Sequence, residues 1–325
     1  MQTVHRVPRR GFTLIELLTV IAIISLLIGV LVPAVSAAKN AAKRASTQNL
    51  IDKLGQGCEA FHGAFERYPR SSGANPFEPN DPRVWLSGAQ WLILELAGAD
   101  LKGYVASDQH LYPSAVDGSP TLSATYTDWQ KYYDPAFTVF EFRRYGPYVQ
   151  LDGKAAQSPT YYRDNTSATR SLPSALTPGD PTAGASNWNN GRLPFAVDAF
   201  GFPVLYYVAN DQAKLPFSDS APGRYAQWDN TPFTGSDVGS VPGFDLGAGA
   251  DHPLKYLGWA ATDPNVVPAT KSFAGVVYDR ALFEQNRQAD GTGKVWPHRP
   301  DTFIIISAGK DAMYGSSDDV ANFEN

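Results

Sequence analysis

The residues that could do chemistry in this chain sit near its two ends. The first set lies in "RRGFTLIELL", where Gly11 and Phe12 follow two arginines and Glu16 interrupts an apolar run. A carboxylate at membrane depth is expensive and needs a partner. Toward the C-terminus the next basic residue is Lys39, several helical turns away. Cleavage between Gly11 and Phe12 would create a new α-amino group four residues before Glu16. In a stack of identical chains, that amine could meet the Glu16 carboxylate of a neighbour. Pairing the two charges would offset their desolvation and fix the axial register of the stack.

The second set closes the chain in "SAGKDAMYGSSDDVANFEN", directly after an apolar run. Asp311, Asp318 and Asp319 bracket a glycine-containing turn. Calcium takes six to eight oxygen ligands, and a turning loop can supply them together. The spacing is not that of an EF-hand, and on spacing alone a solvated acidic terminus is the simpler reading. Elsewhere the signals are weak. His5, His62, His110, His252 and His298 are scattered, with no H-E-x-x-H and no G-x-S-x-G. "DGTGK" at Asp290–Lys294 lacks the spacing of a phosphate-binding loop and reads as a turn, and "LGAGAD" at Leu246–Asp251 lacks a third glycine. His62 reads as an ordinary surface or core residue. No catalytic residues are assigned, and the chain is expected not to be an enzyme. Cys58 is the only cysteine, which excludes an intrachain disulfide and a Cys-rich zinc site.

These sets need elements to hold them. From Phe12 to Val35 the chain is almost wholly apolar, long enough to cross a bilayer as a helix. A buried helix of a soluble protein is rarely found behind a basic N-terminal stub. A cleaved secretory signal, with "VSA" at Val35–Ala37 as its cleavage site, would have a shorter apolar region without an acid. Beyond Pro33, Leu50, Leu54, Cys58, Phe61 and Phe65 recur at helical spacing, and Tyr68-Pro69 ends the pattern. Gly55, Gly57 and Gly63 weaken the helix locally. The formal net charge is −5 although the first 44 residues are basic, so the body is markedly acidic and nucleic acid is not expected as a partner.

With 28 glycines and 25 prolines the body should be rich in turns. "WLSGAQWLILELAGA" (Trp85–Ala99) reads as a short buried helix. "FTVFEFRRY" (Phe137–Tyr145), "FPVLYYVA" (Phe202–Ala209), "FAGVVYD" (Phe273–Asp279) and "TFIIISAG" (Thr302–Gly309) read as strands, and Ser167–Gly191 as a long loop. The expected class is α+β: a long N-terminal helix, its first half membrane-spanning, packed against an antiparallel sheet with long loop-rich insertions.

"RRGFTLIELL" resembles the N-terminal motif of type IV prepilins and type II secretion pseudopilins. The resemblance implies a pilin-like fold, cutting after Gly11 by prepilin peptidase, methylation of Phe12, and an assembly role for Glu16. Pro33 falls where the family often has a helix-kinking proline. It further implies a leader (1–11), a transmembrane and assembly helix (12–35), an exported half-helix (36–68) and a globular periplasmic domain (69–325). The N-terminus would face the cytoplasm and the chain would cross the inner membrane once. Charge alone would not orient it, since Arg6, Arg9 and Arg10 nearly balance Lys39, Lys43 and Arg44. Partners implied are membrane lipid, other copies or other pseudopilins, and an inner-membrane assembly platform.

The C-terminus resembles that of the major (G-type) pseudopilins, whose loop of pattern S-x-G-x-D-x-x-x-G-x-x-x-D binds calcium. Ser307, Gly309, Asp311, Gly315 and Asp319 fall on that pattern, with Asp318 adjacent. "ERYP" (Glu66–Pro69) and "DAFGFPVLYY" (Asp198–Tyr207) are further echoes, with Phe200 where the family has tryptophan. The chain is much larger than that subunit, and residues 71–193 have no counterpart in it. A type IV pilin for adhesion, motility or DNA uptake is one alternative. Many such pilins close a C-terminal loop with a disulfide, which Cys58 alone cannot do. An exported enzyme or binding module anchored by a prepilin-like leader is the other.

Overall fold

The computed structural model describes residues 14–72, 84–98, 101–105, 144–151, 155–159, 161–163, 170–171, 192–217, 223–234, 252–259, 267–291 and 293–323. It divides into two compact units, through Ala45 and from Ser46, and the boundary falls inside one helix. That helix, α1 (Leu14–Phe65), has 52 residues and so is about 80 Å long. Pro33 lies within it, and the helix continues through that position without a break. Pro33 has no amide N–H, so the Gly29 carbonyl lacks its helical donor. The regular helix ends at Phe65, where Glu66 takes a left-handed backbone (φ 55°) and its N–H donates to the His62 carbonyl.

In the unit from Ser46, α1 buries Thr47, Leu50, Ile51, Leu54, Gly57, Cys58 and Phe61. Each large apolar side chain in that stripe contributes about 1.5–3 kcal/mol by burial. Gly57 is needed for closeness: a Cβ there would lie 3.2 Å from Leu96 Cδ1 and 3.3 Å from the Tyr148 carbonyl oxygen. The partner helix, α2 (Gly88–Ala97), is buried along its whole length, as expected of a segment that is apolar on nearly every side. Ser87 starts it with a capping box to Gln90. Its one acid, Glu95, is fully buried and accepts from Arg67 at 2.9 Å through each carboxylate oxygen, and from the Arg70 backbone N–H at 2.8 Å.

The central sheet is antiparallel, built from β8 (Val204–Val208), β9 (Phe303–Ser307) and β10 (Val320–Ala321), with β9 in the middle. β8 and β9 pair from Val204↔Ser307 to Val208↔Phe303, and Val320 pairs Ser307 on the other side. Alternate residues face opposite ways. Val204, Tyr206, Phe303, Ile305 and Val320 pack with α1 and α2. Leu205, Tyr207, Ile304 and Ile306 pack with a second cluster that includes Phe217, Tyr225, Phe273 and Tyr314. Both faces are covered, which is why β9 reads as an unbroken apolar run. The class is α+β, a long apolar N-terminal helix with an antiparallel sheet, consistent with a type IV pilin-like fold.

The remaining strands pair in small groups: β1 (Val84–Trp85) with β5 (Tyr161–Arg163) and β6 (Arg170–Ser171), β2 (Tyr104–Val105) with β3 (Arg144–Tyr145), and β4 (Ala155–Pro159) with β7 (Arg192–Ala196). Of the expected strand Phe137–Tyr145 only β3 is described, and most of the Ser167–Gly191 segment, with Leu246–Asp251, lies outside the described residues. The expected strand at Phe273–Asp279 is instead a helix, α3 (Phe273–Val277). Ser272 caps it by accepting from the Gly275 N–H at 3.0 Å, and one apolar face packs into the second cluster. A helix α4 (Arg280–Asp290) follows, and the Gly291 N–H donates to the Arg287 carbonyl where "DGTGK" begins its turn.

Candidate functional site

Every residue from Leu14 to Val35 is exposed in the single chain, with Leu14 at 81% and Leu26 at 70%. Among the described residues α1 is the helix long and apolar enough to cross a membrane by length and composition. Glu16 sits in its first turn, where a carboxylate faces the positive end of the helix dipole. The Glu16 carbonyl accepts from Thr19 Oγ1 at 3.0 Å, closing that turn around the acid. Gly11 and Phe12 lie outside the described residues.

The acidic segment is the loop from Ala308 to Asp319 that joins β9 to β10. Three features force its shape. Gly309 has φ 65°, and a Cβ there would fall 2.3 Å from the Asp318 carbonyl oxygen, so the two ends of the loop touch at this glycine. Ala312 also takes a left-handed backbone, φ 64°. Tyr314, fully buried, donates its hydroxyl to the Pro203 carbonyl at 2.6 Å and its backbone N–H to His252 Nδ1 at 3.2 Å.

The loop brings all three predicted aspartates into one hydrogen-bonded turn. Asp311 Oδ1 accepts from the Met313 N–H at 2.8 Å. Asp318 Oδ2 accepts from the N–H groups of Lys310 (2.7 Å) and Asp311 (3.1 Å), and its Oδ1 from Ser316 Oγ (2.6 Å). Asp319 Oδ2 accepts from the Gly315 N–H at 2.7 Å. Burial works against Asp318 ionising, but the Ser316 hydroxyl and the Lys310 and Asp311 amides hold its carboxyl below the usual value. Asp319 goes the other way. Burial, followed by the charges of Asp311 and Asp318, pushes it up to about 7 against the amides of Gly315 and Ser316. Among the described residues no group of three His, Cys, Asp or Glu side chains is arranged to hold a metal. Each of the three carboxylates accepts from N–H or hydroxyl donors of the loop itself.

Sequence reasoning placed Ser307 on a loop pattern and Asp198 in a motif echo without relating them. In the structure the Ser307 hydroxyl donates to Asp198 Oδ2. Asp198 Oδ1 accepts from Phe200, Gly201 and Phe202 N–H groups at 2.8, 2.7 and 2.8 Å. Burial raises the Asp198 carboxyl above its usual range despite these donors. His62 is exposed and stacks on Tyr68, with centroids 4.5 Å apart.

Residues 6–32 match the prokaryotic N-terminal methylation motif. The chain is therefore prepilin-like at its N-terminus, and the motif is the substrate of prepilin peptidase and marks subunits that assemble with other pilin-like chains. The match spans Gly11, Phe12 and Glu16 and stops one residue before Pro33. No curated protein and no solved structure matches the chain. A prepilin-like N-terminus on an exposed apolar helix is consistent with membrane anchoring.

Proposed function

We propose that this chain is a pseudopilin-like structural subunit of a type II secretion filament, with no catalytic role of its own. The observation that carries the reading is the methylation motif on a helix whose first 22 described residues are all exposed and, apart from Thr19, Ser25 and Glu16, apolar. After cutting between Gly11 and Phe12, the chain waits in the inner membrane with its body in the periplasm. It then leaves the bilayer by packing that helix against those of other subunits on an assembly platform. Glu16 pairs with the methylated Phe12 amine of a neighbour and sets the register. Pro33 lies where the helix must adapt to its neighbours. The lone Cys58 favours a secretion filament over a pilus that needs a disulfide-closed loop.

Calcium is the cation proposed for the acidic loop on donor chemistry alone: the aspartates, which the described loop does not gather around one point, would have to exchange bonds to loop donors for the ion. The loop offers carboxylates, a hydroxyl and main-chain carbonyls, the hard oxygen set calcium takes. Asp311, Asp318 and Asp319 would hold it, and its charge would offset the burial and the neighbouring carboxylates that raise Asp319. The ion would supply structural stability to the loop.

The test is imaging of filaments sheared from cells that express a tagged copy, beside a Glu16→Ala copy. The wild type should give filaments, and the variant should reach the membrane but assemble none. Normal filaments from Glu16→Ala would refute the register role. A wild-type chain that stays in the membrane as a monomer while its secretion system works would point to an anchored module instead.

A further inference from the structure

Hydrogen bonds on either side of the Asp198–Ala199 peptide link the C-terminal loop to α1, and Asp198 is their centre. At one end Gly309, the glycine on which the loop closes, donates its N–H to Ser307 Oγ at 3.4 Å. The Ser307 hydroxyl is spent on Asp198 Oδ2. The other Asp198 oxygen gathers the three successive amides of Phe200, Gly201 and Phe202, so one carboxylate accepts along the turn between β7 and β8. Between those amides and the carboxylate lies Ala199, whose N–H donates outward to Thr47 Oγ1 of α1 at 3.2 Å. Thr47 is fully buried, Ser307 is fully buried, and Asp198 is 5% exposed. A second strut from the loop, Tyr314 Oη to the Pro203 carbonyl, lands just beyond the same turn.

Burial makes this run stiff. A buried polar group that loses its partner costs about 1–3 kcal/mol, so each member holds the next in place. Backbone bonds from the Asp198 N–H to the Phe202 carbonyl (2.9 Å) and from the Gly201 N–H to the Asp198 carbonyl (3.2 Å) close the same turn, and Thr47 is the sole polar side chain that α1 buries fully. We propose that Asp198 is a positioning residue that couples the acidic loop to the α1 face at Thr47. A change in the loop is then felt on the helix that carries the assembly motif. The coupling does not require the loop to hold calcium, so it stands or falls apart from that reading.

The experiment is hydrogen–deuterium exchange on the full chain in detergent, comparing peptides from α1 (residues 47–58), the loop (308–319) and α4 as a distant control. The loop is perturbed by Ser316→Ala, which removes its hydroxyl bonds to Asp318 and Asp319, and more strongly by Gly309→Ala. Each is repeated in an Asp198→Asn background. Asparagine keeps one oxygen for the turn amides but replaces the acceptor facing Ser307 with a donor. Exchange in α1 should rise about fivefold with either loop variant, the scale of coupling between neighbouring groups. In Asp198→Asn the loop should still respond while α1 no longer does, and α4 should be unchanged throughout. An α1 response of equal size with Asp198→Asn, or a loop response with no α1 response in the wild-type background, overturns the proposal. A rise in α4 equal to that in α1 would also overturn it, because the effect would then be global. Spatial adjacency alone would not produce the loss of coupling in Asp198→Asn.

Discussion

Asp319 makes the stability of the cation-free protein depend on pH in an unusual direction. Its carboxyl titrates near 7 in the folded chain, against an ordinary 3.8. The raised value means that the folded state binds a proton more readily than the unfolded one. Stability from this group is therefore fully present below about pH 4 and is lost as pH rises through 7. At 1.36 kcal/mol per pKa unit, the folded protein should be less stable at about pH 8 than at about pH 5 by roughly 3 kcal/mol. For a chain of this size that is a fall in Tm of roughly 5–10 °C. Asp198, also raised, acts in the same direction. Asp318, lowered, acts only below pH 4 and stays outside the window. His298, lowered by burial against the pull of Asp279, opposes the trend below its ordinary 6.5.

The assay is thermal unfolding of the full chain in detergent with EGTA, at fixed ionic strength, across that range. The chelated wild type should melt higher at the acid end, and Asp319→Asn should flatten most of the slope. Added calcium should reverse it, because a cation needs the deprotonated carboxylate and its binding releases the proton. A wild-type slope unchanged by Asp319→Asn would refute the assignment to this carboxyl. A Tm that falls toward acid in EGTA would refute the claim that burial and neighbouring charge hold this carboxyl protonated in the fold.

The other predictions concern the body. Calcium should raise Tm near neutral pH and chelator should lower it; coincident transitions would sink the calcium reading. Glu95→Gln removes the charge that holds Arg67 and Arg70 against α2 and should cost about 2 kcal/mol in urea unfolding, below the full cost of a buried pair because Arg67 can rehydrate. A cost indistinguishable from zero would mean that this pair does not tie the end of α1 to α2. Asn230 accepts from the Ala89 N–H at 2.9 Å and donates to the Tyr206 carbonyl at 2.7 Å, both buried. Asn230→Ala should cost about 2–4 kcal/mol with an unchanged m-value, and a shift in m instead would place its effect in the unfolded state.

What could be read in the sequence followed from local pattern. β8 and β9 announce themselves as apolar β-branched and aromatic runs, and α2 as an apolar stretch behind a serine cap. Phe273–Val277 misled because a short apolar run has no period of its own, and the decisive fact was the Ser272 cap. Glu95 is an acid inside a buried helix, and its partner Arg67 lies 28 residues earlier in the chain. The Ser307–Asp198 bond spans 109 residues and Ala199–Thr47 spans 152. No local signal records such pairs, because each residue is ordinary by itself and gains its role only when the turn and the strand meet.

Glu16 poses the same problem at the scale of the assembly. The segment Leu14–Val35 has no buried residue within the chain, so its apolar surface must be covered by lipid or by other subunits. Lipid covers the apolar side chains as well as protein does, and so gives no reason to leave the bilayer. The carboxylate breaks that tie. A carboxylate at membrane depth costs a few kcal/mol in hydrocarbon. On the proposed reading, a neighbouring processed subunit would offer it the Phe12 amine while the apolar contacts are kept. On the proposed reading, one unfavourable residue in an otherwise ideal membrane helix biases the equilibrium toward the filament. The same residue forbids a shift of one subunit along its neighbour, since any such shift would part the charges.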